Sequence, residues 1–232
     1  MDNYIEVRNL TKTYKKTVAL DNLNLDLEKG KVYGLLGPNG SGKTTLLKSI
    51  AGLARPDNGE IIISGEKLSY KSKNNISFLA DKRFLFDNLT AKDNLNIFAD
   101  FYDDFDKELA ERLMDYFSVD LKDKPLNFSK GDYKKLAICL VLSRDTDLYL
   151  LDEPTNGLDP ISLAKVQDLL IEKFDGEKTF LMATHQIESI ENLFEEVIFL
   201  DRGSIHHIDQ AKNIRNENMS DIYDFYDEIY LG

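Results

Sequence analysis

Eight consecutive residues, Gly37, Pro38, Asn39, Gly40, Ser41, Gly42, Lys43 and Thr44, bring together the groups that hold a triphosphate. Gly37, Gly40 and Gly42 let the backbone curl until successive N–H groups converge on a β-phosphate. Lys43 reaches the β- and γ-phosphates as a point charge, and the Thr44 hydroxyl is suited to ligate Mg2+. Asn39, Ser41 and Thr45, within or directly beside the run, are read as nucleotide-binding with it. Further on, the apolar run Leu148 to Leu151 ends in Asp152 and Glu153. Asp152 suits the holding of Mg2+ through its water shell, and Glu153 suits the orientation and polarisation of the attacking water. His185 follows the apolar stretch Thr179 to Ala183, where a neutral imidazole can donate to a γ-phosphate and sense its loss. The candidate catalytic groups are therefore Glu153, His185 and Lys43. His206 and His207 lack such a context and are expected at the surface.

These groups need elements to aim them. An apolar run, Val32 to Leu36, precedes the glycine-rich loop, and a helix-like run, Thr44 to Ala51, follows it. Strand, loop and helix in this order point the positive end of the helix dipole at the phosphates. A four-residue apolar run such as Leu148 to Leu151 is the pattern of a central strand buried on both faces, which delivers its last residues to the carboxyl edge of a sheet. Short strands are also expected at Glu60 to Ser64, Asn75 to Leu79, Lys178 to Met182 and Val197 to Asp201, several alternating with helical segments. That alternation predicts an α/β fold with a largely parallel sheet. Leu23, Leu25 and Leu27 alternate with polar residues before the loop, and such leading strands are expected to form an antiparallel layer beside the core.

Between Leu89 and Phe117 the apolar positions fall at helical spacing, with Leu95, Phe98, Ala99 and Tyr102 followed by Leu109, Leu113 and Tyr116. Residues 81 to about 142 are read as a helical insertion in one domain spanning 1–232, because no linker-like composition flanks them. Phe128-Ser129-Lys130-Gly131-Asp132 opens a helix with Ser129 as N-cap and one apolar face formed by Tyr133, Leu136, Ala137, Leu140 and Val141. Pro154 to Pro160 reads as a turn-rich segment. At about 220–231, Ile222, Phe225, Tyr226, Ile229 and Tyr230 form the stripe of an amphipathic helix, expected to pack on its own domain.

Composition excludes several classes. With 29 basic and 41 acidic residues the net charge is −12, which repels nucleic acid at long range, so no nucleic-acid partner is expected. The longest apolar run, Leu136 to Leu142, falls short of the roughly 20 residues a membrane span requires. The start of the chain lacks the basic and apolar regions of a signal peptide, so the expected compartment is the cytoplasm. Cys139 has no second thiol to pair with and reads as a core residue.

The loop at 37–44, the Ser129–Gly131 element ahead of the Asp152–Glu153 strand, the run from Glu153 to Pro160 and the later Thr184-His185 together resemble the nucleotide-binding subunit of an ABC transporter, over residues 3 to about 205. That resemblance implies a P-loop NTPase core of the ABC ATPase type, with ATP and Mg2+ as cofactors. It implies that Tyr14 stacks on adenine, that Ser129 and Gly131 contact ATP bound to a second cassette, and that Asp159 belongs to the loop linking the two sites. It also implies two partners, a separate transmembrane permease and a second ATPase subunit, and a place on the inner face of the cell membrane through the permease. Leu89 to Ala99 and the Gly157-Leu158-Asp159-Pro160 run resemble exporters of drugs, peptides or lipids. The alternatives are an ATP-binding regulatory module with low turnover and a soluble ABC ATPase acting on nucleic acid or ribosomes.

Three positions, in two segments, depart from the family pattern. Lys130 and Asp132 replace the third and fifth residues of a signature that usually reads Leu-Ser-Gly-Gly-Gln. Asp81 stands where a glutamine normally touches Mg2+ and relays ATP binding to the membrane subunit. An aspartate is shorter by one C–C bond, roughly 1.5 Å, and charged, which suits contact with Mg2+ through water.

Overall fold

The computed structural model describes residues 3–217 and 221–231. In chain order the strands are β1 (Ile5–Tyr14), β2 (Thr17–Leu27), β3 (Val32–Leu36), β4 (Asn58–Ile63), β5 (Glu66–Lys67), β6 (Ile76–Leu79), β7 (Leu148–Asp152), β8 (Thr179–Ala183), β9 (Glu196–Asp201) and β10 (Ser204–Gln210). The helices are α1 (Lys43–Ile50), α2 (Ala91–Phe101), α3 (Lys107–Tyr116), α4 (Lys130–Leu142), α5 (Pro160–Lys173), α6 (Ala211–Glu217) and α7 (Ile222–Leu231). Two sheets result, one antiparallel in the order β2-β1-β4-β5 and one of six strands in the order β10-β9-β3-β8-β7-β6. All neighbours in the larger sheet are parallel except β9 and β10. The predicted α/β core with its antiparallel layer is the fold observed.

Every residue of β3, β7 and β8 is buried. The pleat nevertheless sorts them: Val32, Leu36, Tyr149, Leu151, Phe180 and Met182 enter one core, and Tyr33, Leu35, Leu148, Leu150, Leu181 and Ala183 the other. The second core lies between the two sheets, where Leu46, Leu47 and Ile50 of α1 fill the gap. Both faces of the parallel sheet are covered, which is why its strands read as continuous apolar runs.

The helical stretch from Leu89 to Phe117 divides into two. Thr90 caps α2 through a reciprocal bond with Asp93, the chain breaks at Tyr102, and Asp106 caps α3. In α4 the expected single apolar face is incomplete, because Ile138, Cys139 and Leu142 are buried as well and the last two turns are enclosed on all sides. A hydrogen bond of 2.7 Å from Ser77 Oγ to the Val141 carbonyl ties α4 to β6.

Arg144 joins the helices to the sheet. Its guanidinium pairs bidentately with Asp104 at 3.0 and 2.9 Å, donates to the Ile76 carbonyl at 2.6 Å, and lies 3.8 Å from the centre of the Tyr102 ring. Substitution by methionine leaves Asp104 facing a site built for a cation. Arg144→Met is expected to lower stability by about 3 kcal/mol, read from denaturant unfolding, and Asp104→Asn added to it restores part of the loss.

The C-terminal stripe packs on its own domain. Ile222 is buried, the Phe225 ring meets Phe199 at 5.4 Å, and Tyr230 donates to the Leu200 carbonyl at 3.0 Å. Ser220, the expected first residue of this helix, lies outside the described residues. The same packing corrects the expectation for His207. Its imidazole is half-buried beneath α7, 5.5 Å from the Phe225 ring, whereas His206 is exposed.

Candidate functional site

Strand order decides which loops meet. Because β3, β8, β7 and β6 are consecutive and parallel, Gly37, Thr184-His185, Asp152-Glu153 and Asp81 leave the carboxyl edge side by side. That edge is where open α/β sheets bind ligands. A cleft of about 310 Å³ there is lined by Asn39, Gly40, Ser41, Gly42, Lys43, Thr44, Thr45, Asp81 and Glu153, with Ala19 as its far wall.

Backbone conformation makes the loop. Gly42 has φ of 114° and caps α1 with no side chain on the helix's first amides. A Cβ there would lie 2.5 Å from the Ala19 carbonyl, and one on Gly37 only 2.2 Å from the Leu200 carbonyl. Neither position admits another residue without moving backbone. The free amides at the start of α1 are the donors an anion requires. Lys43 folds back across the loop, its ammonium donating to the carbonyls of Gly37 at 2.6 Å and Pro38 at 3.2 Å. Burial lowers its pKa, against the opposing charges of Glu153 and Asp152.

The carboxylates arrive from β7. Thr44 Oγ1 donates to Asp152 Oδ1 at 3.1 Å, while Asp152 Oδ2 and Ser41 Oγ are buried without hydrogen-bond partners. Burial raises the Asp152 pKa, and the charges of Asp81 and Glu153 act in the same direction against the Thr44 hydroxyl. A cation beside Asp152 would oppose that shift. Glu153 adopts φ of 51°, rare for a residue with a side chain, and its N–H donates to the Ala183 carbonyl at 2.8 Å. This turn brings its carboxylate to His185, with Nδ1 2.7 Å from Oε1 and the His185 backbone N–H donating to Oε2 at 3.3 Å.

The donors fit a hard cation. Thr44 and Asp152 offer only oxygen, and one of those oxygens is unsatisfied. Among the described residues no group of three or more His, Cys, Asp or Glu could hold a metal ion alone, and a cation placed at Thr44 and Asp152 would take its other ligands from phosphate and water. That division of ligands is characteristic of Mg2+ bound with a nucleotide.

With this geometry in place, the sequence profile of the ABC transporter family matches residues 20–156, more than half of the chain. The chain belongs to the ABC transporter family. Among its relatives is the lantibiotic transport ATP-binding protein SrtF of Streptococcus pyogenes, 32% identical over 94% of this chain and 95% of that one. The Nod factor export ATP-binding protein I of Cupriavidus metallidurans is 30% identical over 88% of this chain and 70% of that one. In three dimensions the cassette superposes on the ATP-binding cassette MJ0796 in a dimeric post-hydrolysis state bound to ADP and Pi, with a TM-score of 0.79, 27% identity, and coverage of 89% and 98%. This cassette is an ABC ATPase.

The remaining sequence candidates of the ABC cassette lie away from the cleft. Ser129 caps α4, accepting from the Asp132 N–H at 3.1 Å and donating to Asp132 Oδ2 at 2.6 Å. The Ser129 hydroxyl holds the Asp132 carboxyl below its usual range, with Lys135 assisting. Gly131 lies so near the next loop that a Cβ would come within 2.8 Å of the Gly157 carbonyl. Asp159 caps α5 through Ile161 and Ser162, and Lys135 Nζ lies 3.5 Å from it. Ser129, Gly131 and Asp159 thus form one patch, separate from the phosphate loop of the same chain. Tyr14 ends β1 with its ring exposed beside the Lys12 ammonium and does not line the cleft, although Ala19 of the same hairpin does.

One charged residue escaped the sequence reading. Lys134 sits on α4 between Tyr133 and Lys135 and is 3% exposed, and its ammonium has no hydrogen-bond partner. Its available signal was a lysine set between the apolar positions Ala137 and Ile138 one turn ahead and Tyr133 behind. That spacing separates a core lysine from a solvated one only when every face of the helix is known to be covered.

Proposed function

We propose that this ABC ATPase powers a separate membrane permease, in the direction of export, by closing and reopening a pair of cassettes around Mg-ATP. The observation that carries this reading is the split of the candidates into two patches. The phosphate loop, Thr44, Asp152 and Glu153 lie on one, and Ser129, Gly131 and Asp159 lie on another. One nucleotide then meets both patches only when a second cassette supplies the other, as a head-to-tail pair does. The dimeric state of MJ0796 supports the pairing. Export is supported by the Nod factor export relative, and a transport role by the lantibiotic transport relative SrtF.

Within each site, the loop amides and Lys43 bind the phosphates, and Tyr14 stacks on the adenine. Asn39, Ser41 and Thr45 complete the cradle, Ser41 with a buried hydroxyl that lacks a partner. Thr44 and Asp152 would hold Mg2+, with Asp81 reaching it through water. When bound, the ion neutralises charge on the transferred phosphoryl group. Glu153 receives a proton from the attacking water, while His185, paired with Glu153, fixes that carboxylate and donates toward the γ-phosphate.

Two features support a membrane partner. No helix among the described residues is long and apolar enough to cross a membrane, and on the proposed reading the membrane path is supplied by the permease. A groove of about 600 Å³ beside Asp81 is lined by Lys73, Lys82, Arg83, Phe84, Phe98 and Phe101, among others. On a chain of net charge −12, this cationic and aromatic strip suits an acidic amphipathic segment of a partner. Docking there would place the cassette on the inner face of the membrane.

Asp81 joins groove to cleft, and Asp81→Gln tests the reading. The variant is expected to change permease-stimulated ATPase at least about fivefold while nucleotide affinity stays within about twofold. Both are measured on the cassette with and without a reconstituted candidate permease. Absence of any stimulation of the unaltered cassette would remove the transport role, and equal losses of stimulation and affinity in Asp81→Gln would remove the coupling role of that residue.

A further inference from the structure

The hairpin of β1 and β2 meets the phosphate loop at Ala19, which lines the cleft and whose carbonyl a Cβ on Gly42 would approach to 2.5 Å. Across the hairpin, Lys12 stands opposite Leu20 and Thr13 opposite Val18, so Ala19 is the extra residue of a bulge. Bulges re-aim the side chains beside them. From this one β1 runs on to Tyr14, whose ring is 47% exposed.

Asp57, directly ahead of β4, fastens β1 at the bulge. Its Oδ2 accepts from the Thr13 N–H at 2.6 Å and its Oδ1 from the Lys12 ammonium at 3.0 Å, while its own N–H donates to the Thr11 carbonyl at 2.9 Å. The Thr13 N–H, with Lys12 assisting, holds the Asp57 carboxyl below its usual range. The same Lys12 ammonium lies over the Tyr14 ring, 5.4 Å from its centre. An ion pair so near the surface adds little to stability. Its effect falls on the ring, because an exposed tyrosine samples several rotamers and a cation fixed over one face favours the rotamer that leaves the other face open.

We propose that Asp57 and Lys12 position the Tyr14 ring as a one-sided platform for the nucleobase beside the phosphate loop. This role rests on the reading of Tyr14 as the residue that stacks on adenine. A ring already held in place loses less freedom when a base settles on it, so more of the stacking appears as affinity. Lys12 and Asp57 are positioning residues, acting on the base through Tyr14 and making no contact with the phosphates.

The test is calorimetric titration of the nucleotide-free cassette with Mg-ATP and, in parallel, with Mg-tripolyphosphate, which has the phosphates and no base. Lys12→Met keeps the stem and removes the charge. It should lower ATP affinity about threefold and leave tripolyphosphate affinity unchanged, whereas Lys12→Arg, which keeps a cation, should behave as wild type. Asp57→Asn frees the ammonium and should follow Lys12→Met. Tyr14→Ala should lower ATP affinity about tenfold, and Lys12→Met added to it should produce no further loss. In steady-state ATPase the Lys12→Met effect should appear in KM with kcat unchanged, as expected of a contact made equally in ground and transition states.

Wild-type ATP affinity in Lys12→Met would overturn the positioning role. Equal losses for ATP and tripolyphosphate would also overturn it, by making Lys12 a direct attractor of phosphate, and so would additive losses in the double variant, by making Lys12 independent of the ring. Tyr14→Ala separates the two levels. If it weakens ATP binding while Lys12→Met gives any of these three results, only the positioning role falls. If Tyr14→Ala binds ATP as the wild type does, the stacking reading falls and the positioning role with it.

Discussion

Glu153→Gln is expected to lower ATP turnover by about 10³-fold while nucleotide affinity stays within about threefold of wild type. Glutamine keeps the length of the side chain and an oxygen that accepts from the His185 backbone N–H, so the turn at φ of 51° and the approach to His185 are retained. What disappears is the negative charge that, on the proposed mechanism, draws a proton from water. The phosphate cradle, built from loop amides and Lys43, does not involve that charge. Binding without turnover then holds two cassettes together around their nucleotides. Steady-state ATPase, equilibrium nucleotide binding and light scattering with Mg-ATP read the three parts. Turnover near the wild-type rate would take Glu153 out of the chemistry, and a strictly monomeric variant saturated with Mg-ATP would sink the paired-cassette reading.

Lys43→Ala acts at the other end of the reaction coordinate. A lysine ammonium on a phosphate makes charge-assisted hydrogen bonds, each worth about 1.5–3 kcal/mol. Its loss is expected to weaken ATP binding about 10²-fold. The nucleotide-free fold should tolerate the change, because burial disfavours the Lys43 charge more than Glu153 and Asp152 favour it, and its hydrogen bonds go to the carbonyls of Gly37 and Pro38. A melting temperature within about 3 °C of wild type separates lost binding from lost structure. Unchanged affinity would show that the loop amides alone bind the phosphates. The two substitutions are complementary: one keeps the ligand and loses the reaction, the other loses the ligand.

Some elements left clear marks in the chain and others did not. In β1, Ile5, Val7 and Leu10 are all buried, a change of parity forced by shifts of register near Asn9, which has φ of 49°. A bulge of this kind breaks the period of two by which strands are recognised. Strand β10 pairs only with β9 and alternates between exposed and half-buried positions, so its sequence, Ser204 to Gln210, is too polar to stand out. Helix α5 is different. Asp159 as N-cap with Pro160 in the first turn is a readable start signal, but the turn-rich segment that leads into it masks the helix that follows. Sequence alone places His207 at the surface, because nothing nearby in the chain announces that α7 folds over it.

The residues themselves determined the phosphate loop, the paired carboxylates and the capped helix at Ser129, since each is a local pattern in which backbone conformation and chemistry follow from a few adjacent positions. Tertiary structure decided which of these meet. Strand order set Gly37, His185, Asp152 and Asp81 along one edge and kept Ser129 and Gly131 away from the cleft, and the packing around α4 buried Lys134. Local sequence dictates what a segment can do, whereas burial and charge balance depend on everything packed around it, and those neighbours arrive only when the whole chain has folded.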